Sequence, residues 1–473
     1  MESIISNSID TLSNFLSDIE TKLKQNHLNS ALISVSVSTD FTFSGQLNQF
    51  IKYFERSYYF EKPEEQFALL GIDEAISISE NGESRFAITE KKIKELSKSF
   101  ITNWDSLPKK NFPLFIGGFK FTPERSDAEW QDFSDSNWFI PEIMFLANSS
   151  GNFIFMNFIF SLGISKDFIL NKFKSKLKKL NEVKSQTKIN SVAKIINYDG
   201  TSPKDKKKWK NLVTEVLEKI KENQIEKVVL SRKVELKLSG EPNIDNLINN
   251  LKIDYPTCYI FVFHKGKSSF FGATPEKLAK FIDGKIEIDA LAGSAPRGKN
   301  PEEDLILENN LLSDEKNLNE HNIVIRHIKN SIASSSSNIN LDIHNAVKKL
   351  TNIQHLWSRI SAELKESPSI FAILKELYPT PAICGMPKDA ALHLIKKIEG
   401  YKRGLYSGVI GWFNFENEGE FAVALRSALY VNNKIYAFAG SGIVENSNPE
   451  EEYKETELKL KTILSLFTDE NKN

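Results

Sequence analysis

Four stretches in the second half of the 473-residue chain place lysines and carboxylates where proton transfer or cation binding would use them. In Lys227-Val-Val-Leu-Ser-Arg-Lys233 the period of two puts Lys227, Val229, Ser231 and Lys233 on one face of a strand. A lysine at a strand entrance is ordinarily a solvated edge residue; as a general base it must be buried enough for its ammonium to approach neutrality. Thr274-Pro275-Glu276 reads as a helix start, with Thr274 as N-cap, Pro275 in the first helical position and Glu276 in the first turn. Capping explains all three, whereas an apolar wall of Phe270 and Phe271 would raise the Glu276 carboxyl pKa and make it a general acid. Gly293 and Ser294 can present backbone N–H groups to an anion. A helix-like segment ends in Asp314 to His321, with Glu320 bordering the core at Ile323 and Val324. After a strand and glycine turn over Ala439 to Val444, Glu452, Glu455, Lys459 and Ile463 share one helix face, on which Glu455 and Lys459 form an i,i+4 pair. Taken singly, each of these residues has an ordinary structural explanation.

The elements that must hold them are mixed. Phenylalanine is frequent, at 33 residues, and stands in β-rich runs such as Phe112 to Phe119, Phe153 to Phe160 and Tyr259 to Phe263. Trp209, Leu212, Val213, Val216, Leu217 and Ile220 recur with a helical period, and the strand Lys227 to Leu238 follows. The lysine-rich stretch from Ser165 to Lys188 interleaves apolar residues at helical spacing and is read as a solvated amphipathic helix. A break is expected near residues 190–205, and Ile332 to Asn340 reads as a short low-complexity loop. Without a regular βαβ rhythm, antiparallel sheets with packed helices fit better than a doubly wound parallel sheet.

Composition removes several classes. With 61 basic against 62 acidic residues, the net charge of −1 provides no field for nucleic acid or an anionic membrane, so the expected partner is a small molecule held by a local constellation. Two cysteines make neither a disulfide framework nor a metal knuckle, and the start of the chain carries no signal-peptide pattern. A cytoplasmic protein is expected, with monomer and homodimer both open. No P-loop, GxGxxG fingerprint, HExxH or GxSxG is present, so kinase, dinucleotide, zinc-hydrolase and α/β-hydrolase readings have no anchor.

Together the stretches resemble the chorismate-utilising enzyme family. The resemblance is dense from about 205 to 466, through KVVLSR at 227–232, FFGATPEKL at 270–278, LAGSAPRG at 291–298 and the D-x-K-x-x-x-E-H run at 314–321. It continues through QHLWSRI at 354–360, YPTPAICGMP at 378–387, EGYKRGLYSGVIGW at 399–412, VALRSA at 423–428 and AGSGIVENSNPEEEYKETELK at 439–459. Residues 1–200, with YFEKPEEQ at 59–66 and GGFKF at 117–121, look like the N-terminal sheet and helix portion of the same fold, ahead of a chorismate-binding catalytic domain at 205–466. The resemblance implies an α+β fold of two stacked, mainly antiparallel sheets flanked by helices in four layers, with Mg²⁺ required. Carried over by motif position, Lys227 is the base that activates water, and Glu276 the acid that protonates the departing hydroxyl. Glu320 and Glu455 are the Mg²⁺ carboxylates, with Glu452 nearby. Tyr406, Arg426 and the Gly442 backbone hold the enolpyruvyl carboxylate, Lys459 assists, and Gly293 with Ser294 lies against the ring carboxylate. Ala382, Ile383 and His355 line the pocket.

Chorismate carries two carboxylates and must lose its C4 hydroxide while water adds at C2, which calls for a base, an acid and cationic clamps. Relatives that add ammonia resemble this chain across the same motifs but typically lack lysine at the position of Lys227, and ammonia needs no deprotonation. The expected activity is therefore isomerisation of chorismate to isochorismate, the first step toward menaquinone or catechol siderophores. A salicylate synthase shares nearly all of the site, anthranilate and aminodeoxychorismate synthases are further alternatives, and a noncatalytic binding protein on this scaffold is another. Departures from the family pattern are mild: Ser294 where threonine is frequent, Ser441 where alanine is, and an uncharged Asn317-Leu318-Asn319.

Overall fold

The computed structural model describes residues 2–40, 47–104, 112–123, 127–185, 193–365 and 369–467. Among these residues the strands form two large sheets, one of thirteen strands and one of nine. Every pairing is antiparallel except that of Ser30–Ser38 with Phe100–Thr102, and the fold is α+β as expected. Both halves of the chain feed both sheets. In the larger sheet Tyr259–Lys265 lies between Ser268–Thr274 and the N-terminal strand Arg56–Lys62. In the smaller, Val409–Phe413 pairs with Phe115–Phe119.

Alternation along the strands produces two cores. Phe261 and Phe270 face the core between the sheets, while Ile260, Val262 and Phe271 face the opposite side, where the helices Glu2–Ser17, Lys166–Ser185 and Ile244–Asp254 pack. The phenylalanines fill the inter-sheet layer: Phe115 stacks on Phe413 at 4.6 Å and Phe119 meets Trp138 edge to face at 5.5 Å.

The expected helix over Trp209 to Ile220 is Pro203–Lys221, opened by a capping box between Ser202 and Asp205. Three local expectations fail. Serines 336 and 337 are not in a loop, because Ser336–Lys349 pairs with Ile353–Leu364, and a ladder partner outweighs the weak strand preference of serine. Part of the expected break is the strand Ile195–Asp199, bonded to the far end of Lys227–Leu238; residues 186–192 lie outside the described set. The run Asp314 to His321 does not end a helix; Asp314 lies between Pro301–Ser313 and Glu315–Ile332 and opens the latter, which continues past His321, and the Asp314 side chain accepts from Asn317 N–H at 2.8 Å. Among the described residues no helix is long and apolar enough to cross a membrane.

Candidate active site

The strand Lys227–Leu238 is central to the site. It pairs with Lys434–Ile443 along its length, and its first residues are flanked on the other side by the two-residue strand Gly385–Met386. That approach needs a glycine: at Gly385 the backbone has φ +142°, and a Cβ would lie 2.1 Å from the Lys227 carbonyl oxygen. Behind the strand, Arg403 donates to the carbonyls of Val229 at 2.7 Å and Ile383 at 2.8 Å, and it pairs with buried Glu399, which also accepts from Ser231. Val229 and Ile383 line the cleft, so this buried pair fixes its wall. Arg403→Met leaves Glu399 buried and unpaired, and is expected to lower unfolding free energy by about 3–5 kcal/mol in a urea titration.

The cleft, with about 640 Å³ of empty space that includes its opening to solvent, lies between strands of the two sheets and two helix starts. It brings together Glu276, Gly293, Ser294, Glu320, His355, Ala382, Ile383, Tyr406, Arg426, Gly442, Glu455 and Lys459. Lys227 and Glu452 stand just behind its surface. Lys227 is fully buried, with Nζ 2.8 Å from Glu320 Oε1, yet among the described residues no acceptor lies along a hydrogen-bonding direction of that ammonium. Gly442 leaves room for both side chains: a Cβ there would come within 2.2 Å of Glu320 Oε1 and 3.1 Å of Lys227 Cε. The Gly-Ser-Gly run is not a turn but part of the strand Lys434–Ile443.

Glu276 differs from expectation in its local setting. Thr274 and Lys277 belong to successive strands, Ser268–Thr274 and Lys277–Ile282, so Thr274 caps no helix; its hydroxyl donates to the Val423 carbonyl at 2.5 Å. Phe270 packs on Trp130 and Phe261 in the core, and the apolar lining of the cleft instead includes Pro275, Leu291, Ala292 and Leu425 as well as Val229 and Ile383. Burial pushes the Glu276 carboxyl up to about 7, with Asp289 adding to the rise and Lys227, Lys459 and Lys348 opposing it. A carboxyl so placed can hold a proton at neutral pH and release it.

Opposite the acidic groups stands Arg426. It is buried, its backbone adopts φ +47°, an uncommon state for a residue with a Cβ, and its Nη1 has no partner among the described residues. Tyr406 stacks on Phe438 at 5.0 Å, and burial pushes its phenol up to about 12, so it remains a donor. The Ser294 N–H, expected to face an anion, donates instead to Asn317 Oδ1 at 3.2 Å.

Glu452, Glu455 and Lys459 lie on Pro449–Leu464, capped by Asn448. Glu455 pairs with Lys459 at 2.6 Å. Glu452 is almost fully buried and bonded to Ser441 and to Lys316, the latter at 2.6 Å. Burial raises the Glu452 carboxyl, and the neighbouring Glu455 raises it further; burial also pushes Glu455 up, but Lys459 and Lys316 outweigh it and hold that carboxyl low. Among the described residues no group of three or more His, Cys, Asp or Glu could hold a metal by itself. The donor set nevertheless fits Mg²⁺, which typically takes one or two protein carboxylates together with waters and an anionic ligand.

Sequence reasoning missed three supports. Lys316 lies four residues before Glu320 on the same helix, a spacing that could have revealed it. Lys348 donates to the Pro275 carbonyl at 2.8 Å, next to Glu276, and Asn317 holds Ser294; neither position carries a local signal.

A family model described as "Chorismate binding enzyme" matches residues 14–468. Isochorismate synthase MenF of Bacillus subtilis is 32% identical over 436 residues, covering 89% of this chain and 90% of that protein. The salicylate biosynthesis isochorismate synthase of Pseudomonas aeruginosa is 30% identical over 403 residues, covering 85% of this chain and 83% of that protein. In shape, the chain is similar to the menaquinone-specific isochorismate synthase MenF of Escherichia coli, with a TM-score of 0.77 at 20% identity over 96% of this chain and 100% of that one; this likeness concerns the fold.

Proposed function

The chain belongs to the chorismate-binding enzyme family, and from that premise we propose that it converts chorismate to isochorismate, adding water at C2 while the C4 hydroxyl leaves. The observation that carries this reading is the presence, in one cleft, of a carboxyl held near neutral pH at Glu276 and an uncommitted guanidinium N–H at Arg426. The first is suited to protonating a poor leaving group, the second to a carboxylate.

Glu276 gives its proton to the departing C4 hydroxyl. Lys227, beside Gly442 and Glu320 at the cleft lining, takes a proton from the attacking water in its neutral amine form. Arg426, Tyr406 and the Gly442 backbone hold the enolpyruvyl carboxylate, while Gly293 lies against the ring carboxylate and Ser294 acts through its hydroxyl. Ala382 and Ile383 provide an apolar surface for the ring, His355 braces the anion side, and Lys459 sets the orientation of Glu455. Glu320 and Glu455 would hold Mg²⁺, with Glu452 behind them, and the bound ion would supply positive charge to offset the substrate's carboxylates. The two buried, unpaired cysteines support a cytoplasmic setting, and the product would enter menaquinone or siderophore synthesis.

The test is to incubate the protein with chorismate and Mg²⁺, with and without ammonium, and identify the product by NMR. Isochorismate in both mixtures is expected. An aminated product would assign the chain to the ammonia-adding branch, and salicylate with pyruvate to the eliminating one. For the metal assignment, Glu320→Gln should weaken Mg²⁺ binding by about 10–100-fold in calorimetry of the substrate-free protein, and chorismate binding should weaken with it. An unchanged Mg²⁺ titration removes Glu320 from the metal site.

A further inference from the structure

The hydrogen bonds around His355 run in one direction. Arg426 Nη2 lies 2.9 Å from His355 Nε2, and a guanidinium has donors but no acceptor, so Nε2 must accept. The ring proton then resides on Nδ1, which faces Ser294 Oγ at 2.9 Å and the Gly293 carbonyl at 3.3 Å, both able to accept. Having accepted from the imidazole, the Ser294 hydroxyl has its own proton left for the neighbouring Glu455, whose carboxyl it helps to hold low. Its backbone N–H is fixed by Asn317, so the serine has little freedom to reorient. Burial and the nearby cations of Arg426, Lys459 and Lys348 disfavour a charged imidazole, in keeping with a neutral ring. Arg426, in its left-handed backbone state, therefore has one nitrogen committed to His355 and the other, Nη1, buried at the cleft lining without a partner among the described residues.

We infer that His355 and Ser294 are positioning residues: a one-way chain from Arg426 through His355 to Ser294 sets the angle of the anion clamp and ends beside Glu455, the carboxylate on the cation side. The inference rests on the roles proposed above for Arg426 and Glu455. Neither proton nor lone pair of the imidazole is left for the substrate, so His355 acts through Arg426 and does not touch the reacting atoms. An anion settling on Nη1 and a cation settling beside Glu455 would each stiffen the same chain.

Two substitutions separate its halves. In His355→Gln the side-chain oxygen can stand where Nε2 accepted and keep Arg426 in place. In His355→Asn the amide can stand where Nδ1 donated and keep Ser294 instead. His355→Asn is expected to raise KM for chorismate about tenfold, the loss of one charged hydrogen bond, and His355→Gln less than about threefold. Ser294→Ala should weaken Mg²⁺ binding in the parent, yet change it by less than about twofold on the His355→Gln background, where its donor is already lost. Nitrogen-15 NMR of the substrate-free protein should show the Nδ1–H tautomer of His355, a readout that does not depend on which reaction the cleft catalyses. An Nε2–H tautomer, or equal KM increases from the Asn and Gln variants, would overturn the chain; a normal tautomer with no chorismate turnover would count against the proposed function alone.

Discussion

Lys227→Gln is expected to abolish measurable conversion of chorismate to isochorismate, lowering kcat by about 10²–10⁴-fold, the usual worth of a positioned general base. The expectation rests on where the Lys227 side-chain nitrogen sits. It is fully buried, 2.8 Å from Glu320 Oε1 but without a directed hydrogen bond, and it lies against Gly442 and Glu320, both of which line the cleft. A buried donor left in that state costs stability unless a ligand or water completes it, and a water between Nζ and the ring would be the nucleophile. Glutamine keeps the length and polarity of the side chain but cannot take a proton, so Mg²⁺-dependent chorismate binding should persist in calorimetry and the circular dichroism spectrum should not change. Full turnover by the variant would remove Lys227 from the chemistry. Loss of both binding and turnover would make it a support for Glu320 only.

What the sequence made legible follows from the range of the forces involved. Strand Lys227–Leu238 and the helix face of Glu452, Glu455 and Lys459 were readable because each depends on a short-range period, two in the strand and about 3.6 in the helix. The segment at Glu276 was misread because Thr-Pro-Glu satisfies the rules of a helix start, while the fold uses the same residues for a strand-to-strand corner held by the Val423 carbonyl. That partner lies 149 positions away, beyond any local rule. The Ser294 N–H reads as free for an anion because its competitor, Asn317, belongs to a separate element, the helix Glu315–Ile332, 23 positions along the chain. Arg403 and Lys348 were invisible for the same reason: their value lies in the carbonyls they reach, and a sequence does not display carbonyl directions. The resemblance supplied the membership of the site, and the structure adds the partners that restrict what each member can do.

Glu276→Gln is expected to reduce kcat by about 10²–10⁴-fold as well, but it is distinguished from the lysine variant by its pH behaviour. In the parent the carboxyl is held up to about 7, mainly by burial, so the acid form needed for leaving-group protonation is lost as pH rises through that value and kcat/KM should fall with it. The same shift is linked to stability. The folded state holds this proton more tightly than the unfolded state, so the contribution is complete below the usual carboxylate range, near 4.5, and disappears as pH rises to about 7, a change of roughly 3 kcal/mol for a shift of this size. Glutamine is neutral throughout, so the variant should match the parent near pH 4.5 and become more stable than it at pH 8, with guanidinium titrations at the two pH values giving the comparison. The charges that tune the group do so in opposite directions, Lys227, Lys459 and Lys348 favouring ionisation and Asp289 resisting it; Lys348→Met should therefore move the fall in kcat/KM to higher pH. A kcat/KM that stays flat from pH 6 to 9 in the parent, or an identical stability slope in parent and Gln variant, would show that Glu276 is ionised in the free enzyme and cannot be the proton donor.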